Sequence, residues 1–164
     1  MKLLGCMLLM GACSLCGFAA SEQLAKRTER LNLLLRLVND MMNLLRYTLP
    51  TVDDMILMLA VQPCYAALSF LRSVADTQSQ TTFAERWAQV ILQQFKPSEE
   101  RNLLLQIGQT LGSTDLDGQL SALTLCKEQL GNLLRHAEEK KQSHASMYRS
   151  MGLLTGLFLV ILLI

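Results

Sequence analysis

The chain has 164 residues, 51% of them hydrophobic but only 5% aromatic, and a formal net charge of +1. With no basic excess it lacks the electrostatic footprint of a nucleic-acid binder, and with no acidic tail its expected partners are proteins. Leu, Met, Ala, Gln, Glu and Arg dominate, and three prolines and nine glycines leave little material for a sheet, so an all-α chain is expected.

The chain opens on an apolar run, residues 3–20, preceded only by Lys2. A cleavable signal peptide is one reading, with Gly17-Phe18-Ala19 as a small-x-small site, and a lipoprotein signal ending at Cys13 is another. The run is long for the first and short for the second. The helical pattern also continues without proline, glycine or turn signal to Thr48, which favours an uncleaved transmembrane anchor over residues 1–20.

Residues 21–47 read as one helix continuous with that anchor. Leu31, Leu34, Val38, Met41 and Leu45 recur at three- and four-residue steps, and Leu33, Leu35, Leu37, Met42 and Leu44 widen the apolar face. Pro50 ends it. Thr51 then caps a short helix with Asp53 and Asp54 in its first turn, where the helix dipole favours acids. Pro63 is expected to start a helix reaching about residue 75, and the polar stretch 76–81 to form a loop. Thr81 or Thr82 caps a helix over 83–95, with Phe83, Trp87, Val90, Ile91 and Gln94 on one side. Ser98, Glu99 and Glu100 open another that ends at Gly112. From Asp115 the last helix carries Leu116, Leu120, Leu123, Leu130, Leu134 and Ala137 at helical spacing, and no proline follows.

The closing run, MYRSMGLLTGLFLVILLI, has no charge from Met151 onward. At roughly 0.3 to 0.6 kcal/mol of insertion free energy per central Leu, Ile, Phe or Val, it favours a bilayer. Its fourteen uncharged residues rise only about 21 Å, so Arg149 is expected to snorkel and Tyr148 to sit at the interface of a second anchor over 149–164. Lys26, Arg27, Arg30 and Arg36 follow the first run, while Lys140, Lys141 and Arg149 precede the second. Positive residues stay on the cytoplasmic side, so residues 21–148 are expected to form a cytoplasmic helical domain tied to the membrane at both ends.

The polar residues do not converge on a chemistry. Cys13-x-x-Cys16 falls in the first apolar run, where neither a lowered thiolate pKa nor further ligands are expected, and Cys6, Cys64 and Cys126 stand singly. His136 and His144 are eight residues apart, not the three or four that put two ligands side by side. The doublets Asp53-Asp54, Glu99-Glu100 and Glu138-Glu139 diverge by about 100° on a helix, so they suit helix starts or a solvated face rather than a general acid/base pair. No Walker-type phosphate loop occurs. No catalytic, metal or cofactor-binding residue is expected, and the chain reads as non-enzymatic. Gly152-x-x-x-Gly156 permits close helix approach in the last span, with Gly5, Gly11 and Gly17 as a counter-surface or another subunit in their place.

The order of these pieces resembles the stage III sporulation protein AB family of endospore-forming bacteria. The resemblance runs nearly end to end: the turn from Tyr47 to Pro50, the acid-bearing helix at Asp53 and Asp54, the segment Thr82-Phe83-Ala84-Glu85-Arg86-Trp87, and the closing Tyr148-Arg149-Ser150-Met151-Gly152. Its most specific part is Leu111-Gly112-Ser113-Thr114-Asp115 followed by Gln119, similar to the family's L-G-x-S/T-D…Q. One departure is the turn proline, which stands in Leu49-Pro50-Thr51-Val52 where the family usually reads Thr-Pro-Leu.

The resemblance implies a six-helix cytoplasmic bundle like the F-domain of type II secretion and type IV pilus platform proteins, carried on two long helices. It implies a component of the channel complex between mother cell and forespore, in the mother-cell-derived membrane. Its partners would be the complex's cytoplasmic secretion-type ATPase and the other membrane subunits. Asp53, Asp54, Asp115 and Gln119 are the expected contact residues, although helix capping alone would also account for the acids. A platform subunit of another secretion system and a membrane-tethered helical regulator are the competing readings.

Overall fold

The computed structural model of the protein describes residues 22–77 and 81–142 with their side chains, and the helical backbone of 2–21 and 143–163. Among the described residues six α-helices follow in order: α1 (Lys2–Tyr47), α2 (Val52–Ala60), α3 (Ser69–Asp76), α4 (Phe83–Gln94), α5 (Glu99–Thr110) and α6 (Leu116–Leu163). Among the described residues there is no strand. Nor, among them, is any helix long and apolar enough to cross a membrane. The anchors expected at 1–20 and 149–164, with Gly152, Gly156, Cys13, Cys16 and His144, fall on side chains outside the described residues.

The chain divides into two compact units, one of residues 1–29 and 135–164 and one of residues 30–134. In the first, Thr28 and Ala137 are buried, and the Thr28 hydroxyl donates to the Leu24 carbonyl at 3.0 Å. Satisfying the hydroxyl within the helix lets this polar side chain lie out of water. Glu22 and Lys26 pair across one helical turn at 2.8 Å.

The second unit holds the core. Leu31, Leu34, Val38, Met41 and Leu45 of α1 are all buried, as their spacing predicts, and Leu37 joins them. Each such side chain contributes about 1.5–3 kcal/mol of burial. From α6, Leu123, Cys126 and Leu130 are buried, and Gly131 brings the backbone of α6 to α1, with Leu35 Cδ1 lying 3.9 Å from where a Cβ would be. Among the short helices α2 packs on α3, α3 on α4 and α4 on α5. An aromatic cluster joins α3 and α4. Phe70 of α3 meets Trp87 of α4 edge-on at 5.5 Å, and Phe95 at 5.6 Å.

Helix boundaries follow the caps. Thr51 accepts from the Asp54 amide, Ser98 from the Arg101 amide, and Thr82 forms a full capping box with Glu85. One expectation fails: the single helix from Pro63 to about residue 75 is broken. Pro63–Tyr65 is one turn of 3-10 helix, Leu68 takes φ −95 and ψ 74, and α3 begins at Ser69. In an unbroken helix Phe70 would point about 200° from Leu68. The break lets Tyr65, Leu68 and Phe70 all reach the core. Of the residues expected on one side of α4, Trp87, Val90 and Ile91 are buried, while Gln94 is exposed and ties α4 to α3, accepting from the Ser69 hydroxyl and donating to that of Ser73, both at 2.9 Å.

Candidate partner-contact site

The C-terminus of α1 is closed by amides of Thr48 and Leu49, which both donate to the Leu44 carbonyl, at 2.9 and 3.1 Å. This is the wrap of a left-handed helix stop, and Leu49 takes the φ of +49° that such a stop requires. Pro50 cannot continue the helix, and Thr51 starts α2 in extended backbone. The Thr51 hydroxyl accepts from the Asp54 amide at 3.2 Å and donates to Asp54 Oδ2 at 2.6 Å. Asp53 turns the other way. Its Oδ1 accepts from Nη2 of Arg86 in α4, whose Nη1 donates to the Thr77 carbonyl at 3.2 Å. The Arg86 side chain is 13% exposed and that of Asp53 61%, so the pair sits at the rim with its cation inward.

The turn between α5 and α6 comes to the same place. Leu111 is buried, and its amide donates to the Ile107 carbonyl at 3.0 Å. Gly112 then adopts φ +75°, the conformation that a side chain disfavours. A Cβ at Gly112 would lie 3.2 Å from Val52 Cγ2, so the turn lies against the first residue of α2. Asp115 stands just ahead of α6, exposed, with its carbonyl accepting from the Gln119 amide at 3.0 Å. Gln119 Nε2 donates to the Thr114 carbonyl at 2.8 Å, while its Oε1 is buried without a hydrogen-bond partner.

The four expected contact residues are thus brought to one end of this unit, through the meeting of Val52 and Gly112. They are not equivalent there. Asp54 and Asp115 are exposed, Asp53 is already paired with Arg86, and half-buried Gln119 braces the turn from within. Nothing in the spacing of 33 residues links Asp53 to Arg86, so the pairing was out of reach of the sequence. Glu100 is a larger surprise. It sits in the first turn of α5, as expected, yet is only 2% exposed, gripped by Arg30 of α1, whose Nη2 donates to Oε2 at 3.0 Å while Nε lies 2.7 Å from Oε1, out of line for a hydrogen bond. Arg30 also lies 5.6 Å from the Phe95 ring centre, in cation–π range.

Among the described residues no three His, Cys, Asp or Glu side chains gather as metal ligands. Cys126 is buried, and burial pushes its thiol pKa up, away from nucleophilic use. What this end presents is a surface of loop and helix-start residues.

The sequence profile of stage III sporulation protein AB matches residues 2–164. The chain belongs to the stage III sporulation protein AB family. No curated protein and no solved structure matches it. Membership in the stage III sporulation protein AB family gives the chain a role in sporulation. The match spans both the α2 start and the Leu111–Asp115 turn that meet at this end.

Proposed function

We propose that this member of the stage III sporulation protein AB family is a non-enzymatic platform component of the channel complex joining mother cell and forespore. It is held in the mother-cell-derived membrane by its two apolar ends, 1–20 and 149–164, with residues 21–148 facing the cytoplasm. In layout it resembles the F-domain of secretion and pilus platform proteins. The complex's secretion-type ATPase docks on the end that carries Asp53, Asp54 and Asp115. Proline-free α1 and α6 transmit its push to the neighbouring membrane subunits. The observation that carries this reading is the family match over residues 2–164, which covers the apolar ends and the acidic end alike.

The experiment is co-purification of the full-length protein, in detergent, with the purified ATPase of the same complex. Asp115→Asn keeps a capping side chain but removes the charge. The reading expects this variant to keep its thermal midpoint, to lose capture of the ATPase and to lower sporulation. Wild-type capture and sporulation would remove Asp115 from the contact. Release of the protein from membranes by carbonate alone would remove the anchors.

A further inference from the structure

Leu49 is the one non-glycine residue with a positive φ among the described residues, and its side chain is 66% exposed. Left-handed backbone is disfavoured for a branched side chain, and glycine is the usual residue at such a helix stop. Strain of this kind clusters at binding and switch sites, and here the exposed side chain contributes nothing to the core. Tyr47, two residues earlier, is 79% exposed. Together they form an apolar knob at the turn that leads into the Asp53–Asp54 helix start.

The surroundings decide what kind of surface takes that knob. Asp53, Asp54, Asp115 and Asp117 are exposed at this end, where the turn before α6 meets the start of α2, while the exposed base beside Tyr47 is Arg46, and Arg86 is spent on Asp53. An acidic rim repels an anionic lipid surface, and two copies meeting here would oppose like charges. We infer that Leu49, with Tyr47, is the apolar anchor of this end, and that it inserts into a pocket rimmed by Lys and Arg on a partner protein. The inference rests on the partner-contact reading of the same end, and it names the partner's chemistry and the residue that fills its pocket.

Leu49→Gly gives the test, because glycine relieves the backbone while removing the knob. In full-length protein the Leu49→Gly variant is expected to melt no lower than wild type. In a sporulating strain that lacks its own copy it is expected to lower spore yield at least about tenfold, since losing a central anchor weakens a protein interface by more than that factor. Leu49→Met, which keeps an apolar side chain of similar volume, should restore most of the yield. A photocrosslinking benzoylphenylalanine in place of Tyr47 should form an adduct in those cells that maps, by mass spectrometry, to an apolar segment flanked by Lys or Arg, and the adduct should vanish with Leu49→Gly. Wild-type spore yield for Leu49→Gly, or adducts only with lipid or a second copy, would overturn the inference. Capture of the purified ATPase separates this from the proposed function. Loss of spore yield and adduct with capture intact keeps the anchor but places it on another protein. Capture lost in Asp115→Asn but unchanged in Leu49→Gly, with normal spore yield, keeps the ATPase and discards the anchor.

Discussion

The indole of Trp87 lies in a notch that Gly108 leaves in α5. A Cβ on Gly108 would collide with Cδ1 and lie 2.6 Å from Cγ and 2.8 Å from Nε1, while Nε1 donates to the Leu104 carbonyl at 2.6 Å, one helical turn back. Both the indole and the glycine are buried. The notch therefore sets how closely α4 approaches α5, and with it the aromatic cluster that carries α3.

Gly108→Ala inverts the usual sign of a helix substitution. In an open helix alanine is favoured over glycine by about 1 kcal/mol. Here the methyl has no room, and overpacking costs about 1–3 kcal/mol, with about 1 kcal/mol more if the Trp87 hydrogen bond breaks. Urea titration of the full-length protein in detergent should show a net loss of roughly 1–3 kcal/mol. A gain in stability would mean that α5 shifts away from the ring without penalty.

Arg30 and Glu100 make the second test. Glu100 is almost wholly buried while the Arg30 side chain is 48% exposed, so solvent screens the pair from one side only. Arg30→Met leaves a buried carboxylate alone and should cost about 2–3 kcal/mol, allowing for that screening. Arg30→Met with Glu100→Leu removes both charges and should recover most of the loss. The comparison reads the penalty of an unpaired charge, and equal stability of the single and double variants would show that Glu100 finds water instead.

Much of this fold was legible because it depends on local signals. The α1 stripe, the caps at Thr51, Thr82 and Ser98, and the glycine stop at Gly112 each declare themselves within a few residues. What was hidden depends on residues far apart in the chain. Glu100 is a helix start, as read, but its burial against Arg30 was hidden because Arg30 is 70 positions away, and the partner of Asp53 was hidden because Arg86 is 33 away. The break after Tyr65 has no proline or glycine to announce it, since it arises from fitting Phe70 and Leu68 into one core. Leu49 was hidden for another reason: a left-handed leucine contradicts its own local preference.

Tyr65 gives the pH dependence. Its hydroxyl donates to Asp40 Oδ2 at 2.5 Å, and burial, then the Asp40 hydrogen bond, push its pKa up from the ordinary 10.0. A group whose folded pKa is raised stabilises fully below the unfolded value and ever less above it, because the unfolded chain ionises first. Cys126, raised by burial from 9.0, acts with the same sign. Thermal midpoints should be flat in these two groups at neutral pH and fall above about pH 9–10. Tyr65→Phe should lower the neutral midpoint, through the lost bond to Asp40, and shallow the alkaline fall. An unchanged alkaline slope would assign it to other groups.

A double-mutant cycle separates the pairing of Asp53 with Arg86 from the proposed contact with the ATPase. The Asp53 carboxylate holds the inward-facing Arg86, whose Nε is buried without a hydrogen-bond partner, so Asp53→Asn leaves a poorly compensated cation at the α2–α4 contact. Because Asp53 is 61% exposed, the expected coupling is small, about 0.5–1 kcal/mol. Asp53→Asn should therefore destabilise the protein when Arg86 is present and be nearly neutral beside Arg86→Met. The second background also isolates the functional question. If Asp53 touches the ATPase, Asp53→Asn weakens capture there with no change in thermal midpoint. Capture that tracks stability in both backgrounds makes Asp53 a structural partner of Arg86, and leaves Asp54 and Asp115 as the exposed acids of the contact.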